Sequence, residues 1–161
     1  TVNRLIVDRN CGAIDRADKC GIEVIRLQSS AKSDAEHFAT ELAGAISTDA
    51  DLIVLAGFLS IIPQEFFKLW NGPIINTHPS LLPKHGGKGM YGLNVHKSVI
   101  KNNDSKSGFT IHYVNKDYDE GRIIFQKIIK VSTADPQILA NKVLTQEHRY
   151  YPEIIKKILY D

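Results

Sequence analysis

The run DLIVLAGF, residues 51–58, is the stretch on which the predicted fold depends. From Leu52 to Ala56 every residue is apolar, without the alternation expected of a strand that has one face in water. A continuous apolar run of this length is typical of a parallel strand with both faces covered. We therefore predict that Asp51 to Ala56 forms the central strand of a sheet and that Gly57 ends it.

The chain before this strand has the pattern strand, helix, strand, helix. Gly21 is expected to end the first helix, and Ser33-Asp34-Ala35-Glu36 resembles a capping box in front of the second. The predicted elements are strands at 4–8 and 23–27, a helix at 13–20, and a second helix that follows the capping box and reaches about Ser47.

The chain after the central strand continues the alternation. The predicted elements are helices at 63–70 and 94–101, strands at 73–76, 107–114 and 123–131, and a C-terminal helix that begins at Asp135-Pro136. His78 is expected just beyond the end of the 73–76 strand. Strand alternation places Thr110, His112 and Val114 on one face of the 107–114 strand. Pro152 is expected to kink or divide the last helix.

Alternating strands and helices predict an α/β fold, with a Rossmann-like, doubly wound and mostly parallel sheet in a single domain of residues 1–161. In such sheets, ligands bind beyond the carboxyl ends of the strands. The segments 57–62 and 76–83 each follow a predicted strand. We therefore expect both segments at the ligand-binding edge.

Composition and charge argue against several classes of function. A net charge of +2 is too small a bias for a nucleic-acid surface, and the longest apolar run is far shorter than the roughly 20 residues that span a bilayer. Cys11 and Cys20 form no CxxC motif, and the histidines form no HExxH motif or Cys/His cluster. We expect a cytoplasmic protein that acts on small molecules, without a nucleic-acid, membrane or metal partner.

The strongest candidate for chemistry is NTHPSLLP, residues 76–83. Pro79 and Pro83 stiffen this loop, which would hold Asn76 and His78 close together. An amide N–H and an imidazolium can both stabilise the oxyanion that forms when an amine attacks a carbonyl carbon. By spacing alone, a turn-capping asparagine and a surface histidine are the commoner interpretation.

Four stretches together resemble the glycinamide ribonucleotide transformylases, also called phosphoribosylglycinamide formyltransferases, a family of folate-dependent enzymes. They are INTHPSLLPK at 75–84, LAGFLSIIP at 55–63, GFTIHYVNKDYDEGRIIFQ at 108–126 and TQEHRYYP at 145–152. The first is similar to the signature of that family, and the others follow in the same order and at similar spacing.

The resemblance implies a reaction and a catalytic group. The formyl group of the co-substrate 10-formyltetrahydrofolate would pass directly to the amine of glycinamide ribonucleotide, a step of de novo purine biosynthesis. Asn76 and His78 would stabilise the oxyanion, and Asp119 would assist proton transfer. Neither a covalent enzyme intermediate nor a metal is implied. Without the resemblance, Asp119 would be interpreted as a solvated carboxylate in a turn.

The same resemblance implies binding residues. Two segments would form the wall of the folate pocket, namely Phe58, Leu59, Ser60, Ile61 and Ile62, and Val114, Asn115, Lys116, Asp117 and Tyr118. Contacts to the ribonucleotide are implied for Gly57, Thr77, Pro79 and Glu147, where Glu147 matches a residue that holds the ribose hydroxyls. Ser60 occupies a position that is often basic in relatives.

Two features depart from the family pattern. Many relatives have a shorter link where this chain has HGGKGMYG, residues 85–92, and we interpret these residues as a flexible lid beside the folate. Relatives also begin with a strand, a phosphate-binding loop and a helix, whereas this sequence aligns from their second strand. The alternatives are a domain that is incomplete at its N-terminus, which is the expectation, and a family member that has lost its phosphate-binding loop. Poor binding of the ribonucleotide is expected.

Other functions fit parts of the same pattern. A sugar N-formyltransferase or a formyltetrahydrofolate hydrolase would share the asparagine, histidine and aspartate. The proline of the HPS triplet at 78–80 and the TQEH stretch favour the ribonucleotide enzyme. A folate-binding protein without catalysis is the alternative of a different class, and the presence of all three catalytic residues argues against it.

Overall fold

A computed structural model describes residues 1–30, 32–117 and 119–160. Contacts divide the chain into two compact units, Thr1–Asp51 with Leu59–Gly72, and Leu52–Phe58 with Pro73–Asp161. Each unit has its own helices and strands. The expected single domain stays a prediction.

The first unit contains a small parallel sheet. Its elements are β1 (Arg4–Val7), α1 (Ala13–Lys19), β2 (Glu23–Arg26), α2 (Ala35–Ala45) and a 3₁₀ helix at Gln64–Lys68. β1 and β2 pair in parallel, from Arg4 opposite Glu23 to Val7 opposite Arg26. Phe38 and Phe66 are fully buried in this unit. The segment predicted as a helix at 63–70 forms only the shorter 3₁₀ helix.

The predicted capping box of α2 is wrong in its register. The helix begins at Ala35, so Asp34 is the N-cap and its carboxylate accepts a hydrogen bond from the His37 N–H at 2.9 Å. Glu36 is therefore the second helical residue, one position too early for a capping box. The Ser33 hydroxyl donates to the Ser30 carbonyl.

The second unit contains a mixed sheet of four strands. Its elements are β3 (Ile53–Leu55), β4 (Ile74–His78), α3 (Leu93–Lys101), β5 (Lys106–Tyr113), β6 (Ile123–Lys130) and α4 (Pro136–Tyr160). In the order β3-β4-β5-β6, the first pair is parallel and the other two pairs are antiparallel. The α/β, Rossmann-like class is confirmed, and the antiparallel pairs make this sheet more mixed than predicted.

The strand predicted at 51–56 is not central in this four-stranded sheet. β3 covers only three residues and stands at one end of the four-strand order. Val54 is 36% exposed. An apolar run indicates how far the faces of a strand can be buried, whereas the number of neighbouring strands is set by the rest of the chain.

The core of the second unit lies between the sheet and α4. Ile75, Phe109 and Ile111 from the sheet pack with Leu139 and Val143 from the helix, and all five are fully buried. No helix among the described residues has the length and hydropathy needed to cross a membrane.

α4 continues through Pro152 for 25 residues, so of the two predicted effects of this proline, the division of the helix does not occur and the kink stays a prediction. Proline is disfavoured in the interior of a helix because it removes one backbone hydrogen bond. Tyr151 and Ile154, on either side of Pro152, are both buried in the core. Packing on both sides of the proline outweighs its local preference.

Candidate active site

β4 carries Asn76 and His78, which lie on the same face because side chains alternate along a strand. β4 extends further than predicted, so His78 is its last residue and not a residue beyond its end. The extension comes from antiparallel pairing, which places His78 opposite Thr110 of β5.

β5 adds a histidine to this face. Asn76 lies opposite His112, and His78 lies opposite Thr110, so the four side chains share one side of the sheet. The predicted common face of Thr110 and His112 agrees with this register. Val114 lies after the last residue of β5.

Asn76 is oriented by His112. His112 Nδ1 lies 2.9 Å from the Tyr113 carbonyl, which can only accept, so Nδ1 carries the hydrogen. Burial is the main effect on the pKa of His112 and lowers it, while Asp119 and the Tyr113 carbonyl oppose this shift. The ring is therefore neutral at pH 7, and its Nε2 accepts from the Asn76 amide nitrogen at 3.4 Å.

His78 is buried, and each of its two ring nitrogens faces an oxygen atom of the protein. Its Nε2 lies 2.8 Å from the His85 carbonyl oxygen, and its Nδ1 lies 3.5 Å from Asp119 Oδ2. Its relative exposure is 4%. The carbonyl can only accept, so Nε2 donates to it, while Nδ1 faces the Asp119 carboxylate at the distance of an ion pair.

Asp119 lies between the two histidines. Its Oδ2 faces His78, and its Oδ1 lies 3.7 Å from His112 Nε2. The Gly87 N–H donates to Oδ2 at 2.9 Å. Asp119 has a φ of +55°, a backbone conformation that aspartate tolerates better than most residues. The structure thus brings the three predicted catalytic residues together.

The loop after β4 is held by residues that the sequence did not single out. The Ser80 hydroxyl donates to the Lys84 carbonyl, and the Thr110 hydroxyl donates to the Ser80 carbonyl. The Gln126 amide donates to the Leu82 carbonyl at 2.9 Å. Thr110 and Gln126 lie in a stretch matched by the family pattern, but their role depends on pairing between β5 and β6.

Glu147 does not join the Asn76 and His78 side chains. Its carboxylate accepts from the Thr77 hydroxyl at 2.6 Å, and Thr77 points to the opposite face of β4 from its two neighbours. Burial raises the pKa of Glu147, against the effect of the Thr77 hydrogen bond. Its expected contact with ribose stays a prediction.

The predicted folate-binding segments fall in both units. In the first unit, Leu59 and Ile61 are 56% and 49% exposed, and the Ser60 hydroxyl is hydrogen-bonded with Asp8 and Arg9. Ile61 also lines an open depression of about 230 Å³ with Ala35, Pro63, Gln64 and Glu65.

In the second unit, Phe58 follows β3, and the other assigned residues follow β5. Phe58 is half-buried, and Asn115 to Asp117 form an exposed turn after β5. The Val114 N–H is bonded to the Ile74 carbonyl, so it is not free to bind a ligand. Tyr118 lies outside the described residues. Gly57 has a φ of +69°, and Pro79 follows β4 directly.

The two ends of the 85–92 segment, which was predicted to be a flexible lid, differ in their contacts. His85 and Gly87 are bonded through their main chains to His78 and Asp119, so this end of the 85–92 segment belongs to the site. Lid motion of the remaining residues stays a prediction. Among the described residues, no group of three or more His, Cys, Asp or Glu side chains is arranged to hold a metal ion.

Comparison with known proteins gives consistent matches. The family model for formyl transferases matches residues 8–155. A protein of Arabidopsis thaliana named phosphoribosylglycinamide formyltransferase, chloroplastic, is 38% identical over 153 residues. The match covers 93% of this chain and 52% of that protein. The phosphoribosylglycinamide formyltransferase of Escherichia coli K12 is 35% identical over 144 residues, which are 88% of this chain and 66% of that protein.

The fold has a similar match among solved structures. The crystal structure of phosphoribosylglycinamide formyltransferase from Anaplasma phagocytophilum aligns with a TM-score of 0.83 at 34% identity, covering 98% of this chain and 74% of that one. The chain spans about half the length of its Arabidopsis relative. Because that relative is named chloroplastic, the expected cytoplasmic location stays a prediction.

Proposed function

The chain belongs to the formyl transferase family, and on that premise we propose that it transfers the formyl group of 10-formyltetrahydrofolate to the amine of glycinamide ribonucleotide, in de novo purine biosynthesis. The names of its relatives support this acceptor. The observation that carries the proposal is the meeting of Asn76, His78 and Asp119, in which Asp119 Oδ2 lies 3.5 Å from His78 Nδ1.

The amine of the ribonucleotide attacks the formyl carbon, and the carbonyl oxygen becomes an oxyanion. Asn76 lies partly buried on the shared face of β4 and β5, with one amide hydrogen directed to His112. Its second amide hydrogen is the donor that we assign to the oxyanion. His112, held neutral by burial, fixes which end of the amide is the donor.

His78 contributes charge to the same step. Both its ring nitrogens face protein oxygens, so its positive charge, rather than a free N–H group, stabilises the oxyanion beside Asn76. The carboxylate of Asp119 stabilises that positive charge in return. In a partly buried site such an interaction is screened less by water than at the surface.

Asp119 also moves the proton. When the new C–N bond forms, the attacking nitrogen must lose a proton, and N10 of the folate must gain one as its bond to the formyl carbon breaks. The side chain of Asp119 is 16% exposed, which leaves it open to a water molecule that carries this proton.

Two groups of side chains support the assignment of the substrates. Leu59 and Ile61 are apolar side chains that remain about half exposed, as expected of residues that a flat ring covers. The buried Glu147 carboxylate, with Thr77 bonded to it, can accept hydrogen bonds from ribose hydroxyls at its other lone pairs.

A formyl-transfer assay with the purified protein tests the proposal. Formylation of glycinamide ribonucleotide is measured by mass spectrometry, in parallel with an amino sugar as acceptor and with no acceptor. Formylated ribonucleotide is the expected product. Formyl sugar as the product, or formate released without an acceptor, would assign the alternative enzymes instead.

Variants of Asn76 and His78 complete this test. Asn76→Ala and His78→Ala should each lower kcat about 100-fold or more, while His37→Ala on the exposed side of α2 serves as the matched control. Binding of folate to His78→Ala, measured by calorimetry, should stay within about threefold of wild type, since other segments are assigned to the pterin. Wild-type turnover in a folded variant would remove that residue from the mechanism.

A further inference from the structure

The side chain of His85 is held at both ring nitrogens. Its Nε2 lies 2.7 Å from Asp104 Oδ2, and its Nδ1 lies 2.9 Å from Ser98 Oγ. Only 7% of the side chain is exposed. Ser98 belongs to α3, and Asp104 lies in the short loop between α3 and β5, so the His85 ring is attached to the end of this helix and to the loop that follows it.

The main chain around His85 contacts two of the three proposed catalytic residues, His78 and Asp119. The His85 carbonyl accepts from His78 Nε2 at 2.8 Å, and the Gly87 N–H donates to Asp119 Oδ2 at 2.9 Å. A shift of this turn would therefore move His78 and Asp119 together. The carbonyl also requires that His78 Nε2 carry a hydrogen, because a carbonyl oxygen cannot donate.

The backbone of His85 needs outside support. Its φ is +55°, in the left-handed region that a residue with a side chain rarely adopts unless its surroundings hold it there. The contacts of its ring with Ser98 and Asp104 supply that support. The Lys84 ammonium, 70% exposed, also reaches Asp104, at 3.0 Å from Oδ1.

We propose that His85 is a positioning residue for formyl transfer, in which Ser98 and Asp104 hold its ring so that its turn keeps His78 and Asp119 in their reactive geometry. The inference rests on the proposed function and adds to it a residue outside the reacting group. His85 acts through the main chain of its turn and has no assigned contact with either substrate.

Three variants test this role. His85→Phe keeps an aromatic ring but loses both polar contacts, and Asp104→Asn keeps the shape while removing the charge. His85→Gln can still donate to Asp104 and accept from Ser98, so it should rescue much of the loss. Lys84→Gln is the control, because it removes an exposed ion pair with Asp104 and leaves the His85 ring in place.

The expected pattern separates positioning from binding. His85→Phe should lower kcat by about 10- to 100-fold, since misplacement by an ångström can cost that much. KM for each substrate should stay within about threefold, and Lys84→Gln should keep kcat within about twofold. His85→Gln should recover at least half of the lost activity on a logarithmic scale.

Nitrogen NMR of the His78 ring gives a readout that does not depend on turnover. Wild type and Lys84→Gln should show a hydrogen on Nε2, whereas His85→Phe and Asp104→Asn should show a mixture of ring states. An unchanged His78 spectrum together with wild-type kcat in either folded variant overturns the proposal. If His85→Phe does not fold, Asp104→Asn alone tests the role of His85. If the wild-type protein shows no formyl transfer, the proposed function is refuted, and the NMR spectra still test whether His85 sets the geometry of His78.

Discussion

Asp119 shows how much of the site depends on single residues. One carboxylate faces two histidines, accepts from the Gly87 N–H and occupies a left-handed backbone position. Asparagine is the one other residue with a comparable shape and a comparable tolerance for that conformation. Replacing Asp119 by asparagine therefore removes the negative charge and keeps the shape of the side chain.

Asp119→Asn should lower kcat about 100-fold or more and leave the free energy of unfolding within about 0.5 kcal/mol of wild type. The amide oxygen can still accept from Gly87, but it neither stabilises an imidazolium nor takes up a proton. Steady-state kinetics and urea denaturation measure the two quantities. Glu120→Gln, at the neighbouring exposed carboxylate, is the control, and equal losses in both variants would contradict this role.

At the scale of elements, Tyr151 joins α4 to the sheet. Its hydroxyl lies 3.0 Å from the Leu55 carbonyl of β3 and 3.4 Å from the Ile75 carbonyl of β4. Burial raises the pKa of this phenol, so it remains a donor at physiological pH. One side chain thus connects two strands and the helix that covers them.

Tyr151→Phe should destabilise the protein by about 1 kcal/mol, because it removes the donor and leaves buried carbonyl oxygens with one partner fewer. Tyr160→Phe is the matched control, since Tyr160 lies on the same helix and is 78% exposed. Thermal and urea unfolding of the two variants would be compared. A change of less than 0.3 kcal/mol in Tyr151→Phe would argue that water replaces the hydroxyl.

The turn between β5 and β6 depends on a glycine. A Cβ atom on Gly121 would lie 1.6 Å from the Tyr113 carbonyl oxygen, which is backbone and cannot give way by rotating a side chain. Gly121→Ala should therefore cost about 2–3 kcal/mol of stability. Gly44→Ala, on the exposed face of α2 with no atom nearby, should stabilise by about 0.5–1 kcal/mol. A stable Gly121→Ala protein would show that the turn adjusts at small cost.

At the scale of the whole molecule, stability should depend on buried histidines. Burial lowers the pKa of His96 and of His112 below the ordinary value of 6.5. The unfolded chain therefore binds protons at a higher pH than the folded one. Stability from these two groups is fully present above about pH 6.5 and is lost as pH falls through their folded-state pKa values.

Urea denaturation between pH 8 and pH 5 should thus show falling stability below about pH 6.5, with at most about 1.4 kcal/mol per pH unit from each group. His96→Gln should flatten this slope, and His37→Gln, an exposed histidine, serves as the control. Glu147, whose pKa is raised, acts in the opposite direction at lower pH, because its contribution is lost as pH rises above about 4.5. A slope unchanged in His96→Gln would exclude His96 as a source.

Local patterns were sufficient for much of the fold but not for the candidate catalytic residues. Apolar runs, alternation and cap residues identified every strand and helix of the second unit to within a few residues, because these signals come from neighbours along the chain. Asn76, His78 and Asp119 were found through resemblance to a family and not through spacing, since a turn carboxylate and a short polar loop have many ordinary explanations.

The tertiary structure decided what depends on distant residues. Strand order, the end position of β3 and the continuity of α4 through Pro152 follow from packing, which local sequence does not encode. The same is true of His112, which meets Asn76 through the register of two strands, and of His85, whose ring reaches Ser98 and Asp104 across a turn. The sequence by itself indicated the candidate catalytic residues, and only the fold decided which residues hold them in place, because those contacts join residues that lie far apart along the chain.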